Sequence, residues 1–267
     1  MKEIKRDHAI INCQVTGNGD TTLLFVHGSY NDQTYWKKQV DYFSKHYTVV
    51  TFDLPGHGKS GKERTDWSVK GFAEDVIEVI KELDLENVIL IGHSLGAGIN
   101  LIAATSYSKP IVGFIGIDYF KNAATALPSQ SPQQALTTQE SLIANFSATN
   151  EKYARMVLLT NKTPASITNR IIKDYRNAYK PMSIEITPEV FEMYATEKRL
   201  LPQLRFKLYL VNVDYMPTND ELLTKYAGHG HEVFHMKGTC HFPMLEDPNG
   251  LNELLQKAIN KIGNDSQ

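Results

Sequence analysis

The chain has 267 residues, of which 42% are hydrophobic and 22% charged. That balance excludes a disordered chain, which needs low hydrophobicity and high net charge. With 28 Lys and Arg against 30 Asp and Glu, the formal charge is −2, so no field of one sign recruits nucleic acid or an acidic membrane. A chain this long buries roughly 70–75% of its unfolded surface and needs no disulfide or metal to hold a core.

Two cysteines, Cys13 and Cys240, do not make a secreted disulfide framework, and reduced thiols are expected. The opening Met1-Lys2-Glu3-Ile4-Lys5-Arg6-Asp7 is charged and lacks the apolar stretch of a secretory signal. No run approaches the ~18 apolar residues of a membrane span. A cytoplasmic location is the resulting expectation. His229, His231 and His235 are spaced as on one face of a strand, but no carboxylate or thiol completes a ligand set. They read as polar positions on a surface strand, and no metal is expected.

Taken in chain order, residues 8–15 alternate weakly and suggest an edge strand. Residues 23–26 are a short continuous apolar run, the mark of a strand covered on both faces. Residues 47–52 are a second such run, closed by Asp53-Leu54-Pro55-Gly56. Residues 69–83 place Phe72, Val76, Val79, Ile80 and Leu83 on one helical side. A strand at 88–91, a helix rich in small residues at 95–107 and a strand at 111–117 follow. Strand and helix alternating with short connections imply a parallel sheet with helices on both faces. From 119 to 202 no good strand is visible. Helix-like stretches at 136–146, 151–159, 167–179 and 188–194 are broken by Pro128, Pro132, Pro164, Pro181 and Pro188. Alternation resumes with strands at 206–213 and 232–236 and helices at 220–226 and 251–262. The expected architecture is one α/β core, residues 1–118 and 203–267, interrupted by a helical insertion at 119–202.

The strongest chemical signal is Gly92-His93-Ser94-Leu95-Gly96, a G-x-S-x-G turn between a strand and a helix. A nucleophile standing at the carboxyl edge of a sheet needs a tight, strained turn, which admits only small residues two positions either side. Ser94 is the candidate nucleophile, and Gly92, Gly96 and Gly98 give it room. The helix from Leu95 points its N-terminus at the reacting centre, which favours a developing negative charge. His27-Gly28-Ser29 ends the strand at 23–26, where a backbone N–H is placed to join that of Leu95 around an oxyanion. Serine is a poor nucleophile without an adjacent base. His241, in Gly238-Thr239-Cys240-His241, follows the last expected strand and suits that task. His27, His57 and His93 lie in glycine-rich turns and read as structural. A carboxylate must orient the imidazole, and two stand at strand ends: Asp214 after 206–213 and Asp118 after 111–117.

Together with the turn Asp53-Leu54-Pro55-Gly56-His57-Gly58-Lys59-Ser60, these motifs resemble the α/β-hydrolase fold family over essentially the whole chain. The resemblance implies a mostly parallel, doubly wound sheet with the insertion as a helical cap. It implies Ser94 as nucleophile, His241 as base, the amides of Ser29 and Leu95 as oxyanion hole, and no cofactor. It makes the 53–60 turn a structural loop near the pocket. Members commonly show G-x-x-D-x-x-x-P after the penultimate core strand. Here Asn212 stands at the glycine, and Asp214 lies one residue closer to both landmarks. A branch resembling some haloalkane dehalogenases places the acid 24 residues past the nucleophile, the spacing of Asp118 from Ser94. Asp214 is placed slightly ahead of Asp118.

The expected function is hydrolysis of a small or medium, largely apolar ester, lactone or carbon–carbon bond substrate through an acyl-enzyme. Dehalogenation is disfavoured, because that branch needs an aspartate where this chain has Ser94. The alternatives are a slow-turnover ligand receptor and a cofactor-free lyase or oxygenase on the same fold. The expected partner is a small-molecule substrate, not nucleic acid or a membrane, and the chain is expected as a monomer or homodimer. Tyr153, Met156, Tyr175 and Phe191 are among the insertion residues offered as apolar pocket lining.

Overall fold

In the computed structural model, which describes residues 2–127 and 130–265, the apolar runs become neighbouring strands of one sheet. The strands are β1 (Lys2–Arg6), β2 (Ala9–Thr16), β3 (Thr22–Val26), β4 (Thr48–Phe52), β5 (Val88–His93), β6 (Ile111–Ile117), β7 (Leu208–Val213) and β8 (His231–Met236). Among the described residues their order is β1-β2-β4-β3-β5-β6-β7-β8. The pairings from β4 across to β8 are parallel, while β1 and β2 run antiparallel to their neighbours.

Successive side chains of a strand face opposite sides, so each buried run feeds two cores. Leu24 and Val26 of β3 pack with Leu90 under the helices α2 (Val69–Glu82) and α3 (Leu95–Ser106). Leu23 and Phe25 pack with Ile89 and Ile91 against Trp36, Phe43 and Leu255 on the other face. That face is covered by α1 (Lys37–Phe43) and by the C-terminal helix described below. Each such side chain, fully buried, contributes about 1.5–3 kcal/mol relative to exposure.

The insertion leaves from β6 and returns to β7. Its helices are α4 (Pro132–Tyr153), α5 (Ala165–Arg176), α6 (Lys180–Phe191) and α7 (Met193–Leu200). After β7 come α8 (Asp220–Tyr226), α9 (Pro243–Glu246) and α10 (Pro248–Asp265). No helix among the described residues is long and apolar enough to cross a membrane.

Three local expectations differ from the structure, and one segment left unassigned from the sequence is structured. Residues 2–6 form the edge strand, so the strand read at 8–15 is an inner one. Their hairpin turns at Asp7 and His8, with φ of 45° and 64°. The pair has no glycine to signal such a turn; the Asp7 carboxylate holds it by accepting from Asp66 N at 3.1 Å and Thr65 Oγ1 at 3.0 Å. Residues 33–43, assigned to no element from the sequence, form a 3-10 turn and α1, started by Asp32 accepting from Thr34 N at 2.8 Å. The stretches at 136–146 and 151–159 join in α4, bent at Asn145 (φ −148°, ψ 74°) and followed by a π turn at Ala154–Leu158. Pro188 lies inside α6 instead of opening a helix. Proline deprives the carbonyl four residues back of its donor; here Gln139 Nε2 donates to Ile184 O at 2.9 Å and replaces it.

The chain leaves β3 for β4 on one side and returns to β5 on the other. A crevice at the carboxyl ends of the strands follows where strand order reverses, and ligands of open α/β sheets bind there.

Candidate active site

Ser94 stands between β5 and α3 with φ 52° and ψ −127°. A non-glycine residue there stores roughly 1–3 kcal/mol of strain and survives only where its surroundings over-determine it. Ser94 N donates to Ile117 O at 3.0 Å, and Ser94 O accepts from Ala97 N at 2.8 Å. The flanking glycines are required by contact. A Cβ on Gly92 would sit 2.6 Å from Ala97 N, and one on Gly96 would sit 2.5 Å from Val26 O. Both obstacles are backbone. Gly96→Ala is therefore expected to push α3 off β3, costing about 1–3 kcal/mol and lowering Tm by roughly 2–10 °C in a thermal melt.

His93 of β5 pairs in register with Ile117 of β6, so Ser94 and Asp118 leave adjacent strand ends side by side. Asp118 is 5% exposed. Its Oδ2 accepts from His241 Nδ1 at 2.6 Å, and its Oδ1 accepts from Val213 N at 3.1 Å. Lys121 Nζ lies 2.6 Å from Oδ1, and the Tyr215 hydroxyl donates to Oδ2 at 3.3 Å. Burial raises the Asp118 carboxyl, but the His241 hydrogen bond and charge, then Lys121, outweigh it and hold the group below the ordinary carboxylate value.

The backbone of His241 is held from two sides. Its N–H donates to Leu158 O of the insertion at 3.0 Å, and its carbonyl accepts from His93 Nε2 at 2.8 Å. The two imidazole rings lie 4.5 Å apart. With Nδ1 on Asp118, His241 Nε2 has no hydrogen-bond partner among the described residues.

The other turn histidines hold the scaffold. His93 is fully buried, and burial keeps it neutral, well below the ordinary histidine value. His27 accepts from Leu54 N through Nε2 at 3.0 Å and donates from Nδ1 to Gly28 O at 2.8 Å. In the 53–60 turn, Asp53 accepts from Gln33 N at 2.7 Å and Lys59 N at 2.8 Å. Gly58 has φ 49°, and a Cβ there would lie 2.4 Å from the Asp53 carboxyl.

Asp214, placed ahead of Asp118 from the sequence, does not reach His241. Its N–H donates to Met236 O at 3.0 Å, so the backbone still runs beside β8. Its carboxylate lies 3.4 Å from His235 Nδ1, at the half-exposed outer side. The shortened loop delivers Tyr215 to the Asp118–His241 pair instead, and the order of the two candidates is corrected on that geometry. His231 pairs with Asp220 at 2.8 Å. Three contributors were not foreseen: Lys121, Tyr215, and Asn212, whose Oδ1 accepts from Tyr119 N at 3.2 Å beside Asp118. Only the displaced glycine at 212 hinted at any of them.

Ser29 and Leu95 line a cavity of about 480 Å³ between the sheet edge and the insertion. Leu95 opens α3, where the first amides have no intrahelical partner. A Cβ on Gly28 would lie 3.0 Å from Ser94 Cβ, so the 27–29 turn packs directly against the elbow. Leu54 and Phe72 line the cavity from the core, and Met182, Ile186, Val190 and Phe191 from α6. Tyr153 joins them, whereas Tyr175 lies in the core and Met156 is 72% exposed.

At the base of the insertion, Glu197 is buried and accepts from Ala124 N at 2.9 Å and from the Tyr119 hydroxyl. Burial pushes its carboxyl from 4.5 up to about 7. Between those values the folded chain holds a proton that the unfolded chain has lost, so stability falls as pH rises through the window. Glu197→Gln is expected to flatten that decline and to raise Tm above pH 7, checked by melts on both sides of the window.

The sequence pattern described as the alpha/beta hydrolase family matches residues 23–254. An uncharacterized protein of Mycobacterium tuberculosis is 37% identical over 96 residues, 36% of this chain and 28% of that protein's length. The chain thus spans little more than a quarter of that relative. The karrikin insensitive 2 receptor CA of Petunia hybrida is 23% identical over 261 residues, 93% of this chain and 95% of that one. Among solved structures, a thermophilic esterase from Thermogutta terrifontis superposes with a TM-score of 0.81 at 18% identity, covering 95% of this chain and 94% of that one. With its motifs in order on that fold and the family pattern spanning most of its length, the chain belongs to the alpha/beta hydrolase family.

Proposed function

We propose that this protein is a serine hydrolase that cleaves a small or medium, largely apolar ester or lactone through an acyl-enzyme. The carrying observation is the 2.6 Å bond from His241 Nδ1 to Asp118 Oδ2 at the strand edge that also bears Ser94 on its strained turn. In this reading His241 Nε2 takes the Ser94 hydroxyl proton as Oγ attacks the substrate carbonyl. The amides of Ser29 and Leu95 hold the oxyanion, each worth on the order of 3 kcal/mol of barrier. The leaving alcohol takes the proton back from His241. A water molecule then repeats the cycle on the acyl-serine. Asp118 stays ionised throughout and steadies the imidazolium.

The apolar lining and the cavity volume of about 480 Å³ support the substrate class, since ligand pockets of roughly 300–1,000 Å³ bury most of a small molecule. The insertion acts as the cap that excludes water. A p-nitrophenyl acyl ester is expected to give a burst of p-nitrophenol, and a fluorophosphonate probe is expected to label Ser94. An unlabelled Ser94 together with no burst sinks the reading.

The likeness to the Petunia receptor over 93% of the chain favours a second reading, a ligand receptor that turns over slowly. It predicts one burst without steady-state hydrolysis, and a melting temperature that shifts with ligand.

A further inference from the structure

Lys121 stands three residues past Asp118, where the chain leaves β6 for the insertion. Its ammonium lies 2.6 Å from Asp118 Oδ1 and donates to Val213 O at 2.8 Å. The Tyr215 ring flanks it at 4.4 Å, and the Lys121 side chain is only 9% exposed. A cation this deep is costly to desolvate and survives only where paired and hydrogen-bonded. Both conditions are met on the carboxylate that holds His241. The clamp has a second effect of opposite sign. A positive charge behind Asp118 offsets part of the negative field that steadies a protonated imidazole.

Asp118 after β6, Tyr215 after β7 and His93 in β5 face His241. Cys240 on the same loop and Tyr153 and Tyr175 of the insertion lie around Tyr215. Burial keeps His93 neutral and pushes Cys240 and Tyr153 up to about 12, and Tyr175 and Tyr215 upward as well. Asp118 and Lys121 are therefore the charges of this cluster.

We propose that Lys121 is a positioning residue: it holds Asp118 Oδ1 so that Oδ2 stays aimed at His241 Nδ1, which lets an acid at the end of β6 do the work. The proposal rests on the hydrolase reading. Lys121→Met removes charge and donor, Lys121→Gln keeps a donor without charge, and Lys121→Arg keeps the charge. With a p-nitrophenyl ester, Lys121→Met is expected to lower kcat about 10- to 100-fold with little change in KM, the loss of one charge-assisted hydrogen bond. The acid limb of the kcat/KM profile is expected to move up by about one pH unit in the Met and Gln variants. Lys121→Arg is expected to restore it. If the Met variant does not fold, the contrast of Gln with Arg carries the test. The His241 imidazole resonances, titrated by NMR in the same variants, are expected to shift their midpoint the same way. Unmoved resonances and an unmoved acid limb, with only Tm lowered, overturn the proposal. Absence of any Ser94-dependent turnover instead fails the hydrolase reading, which the NMR titration does not depend on.

Discussion

Ser94→Ala is expected to abolish the p-nitrophenol burst and to lower kcat about 10⁶-fold, the scale of losing the nucleophile from a unit whose members act together. The strained turn bears no other hydroxyl, and Cys240, buried with its thiol pushed up to about 12, offers no thiolate to replace it. A residual acceleration of about 10³–10⁴ over water is expected to remain, because the substitution leaves the proposed oxyanion amides of Ser29 and Leu95 and the cavity untouched. Alanine keeps the Cβ at φ 52°, so strain and packing are preserved and Tm should hold within about a degree. Stopped-flow burst amplitude, normalised to folded protein, is the measurement. An undiminished burst removes Ser94 from the chemistry.

Asp118→Asn is expected to lower kcat about 10⁴-fold, while Asp214→Asn stays within about twofold of the native chain. The cause is the tautomer. Carboxylate Oδ2 accepts from His241 Nδ1–H at 2.6 Å and so leaves Nε2 free to accept a proton. An amide donating to Nδ1 would move the ring proton to Nε2 and block the base action proposed for it. Asparagine would also leave the Lys121 cation, 9% exposed, without its counter-ion. A lower Tm is therefore expected beside the lower kcat. Asp214 is spared because its carboxylate sits by the exposed His235, away from His241. Steady-state kinetics on both variants with matched melts decide it. Loss of activity in Asp214→Asn alone would reverse the assignment.

Local patterns carried much of this protein. Four-residue apolar runs marked β3 and β5 because a strand buried on both faces has no room for polar side chains. The G-x-S-x-G turn was readable because a Cβ at either glycine would collide with backbone. Such constraints act over a few residues and leave their mark in the composition of those residues. The β1 hairpin escaped because its turn at Asp7 and His8 is held by residues 65 and 66, distant in the chain. The interior Pro188 escaped because its repair, Gln139, lies on another helix.

The choice between the two carboxylates lay beyond any pattern. Asp118 and Asp214 both end strands, and spacing allows either. What separates them is the direction each side chain takes after its strand, set by neighbours far away in sequence: Ile117 and Asp118 beside β7, Asp214 still paired to Met236 of β8. The residue types, their order along the chain and the strained turn at Ser94 were written locally. Which acid meets His241, and that a tyrosine and a lysine anchored on Val213 hold it there, was decided by packing, because contacts across 26 to 123 residues leave no periodic trace in the chain.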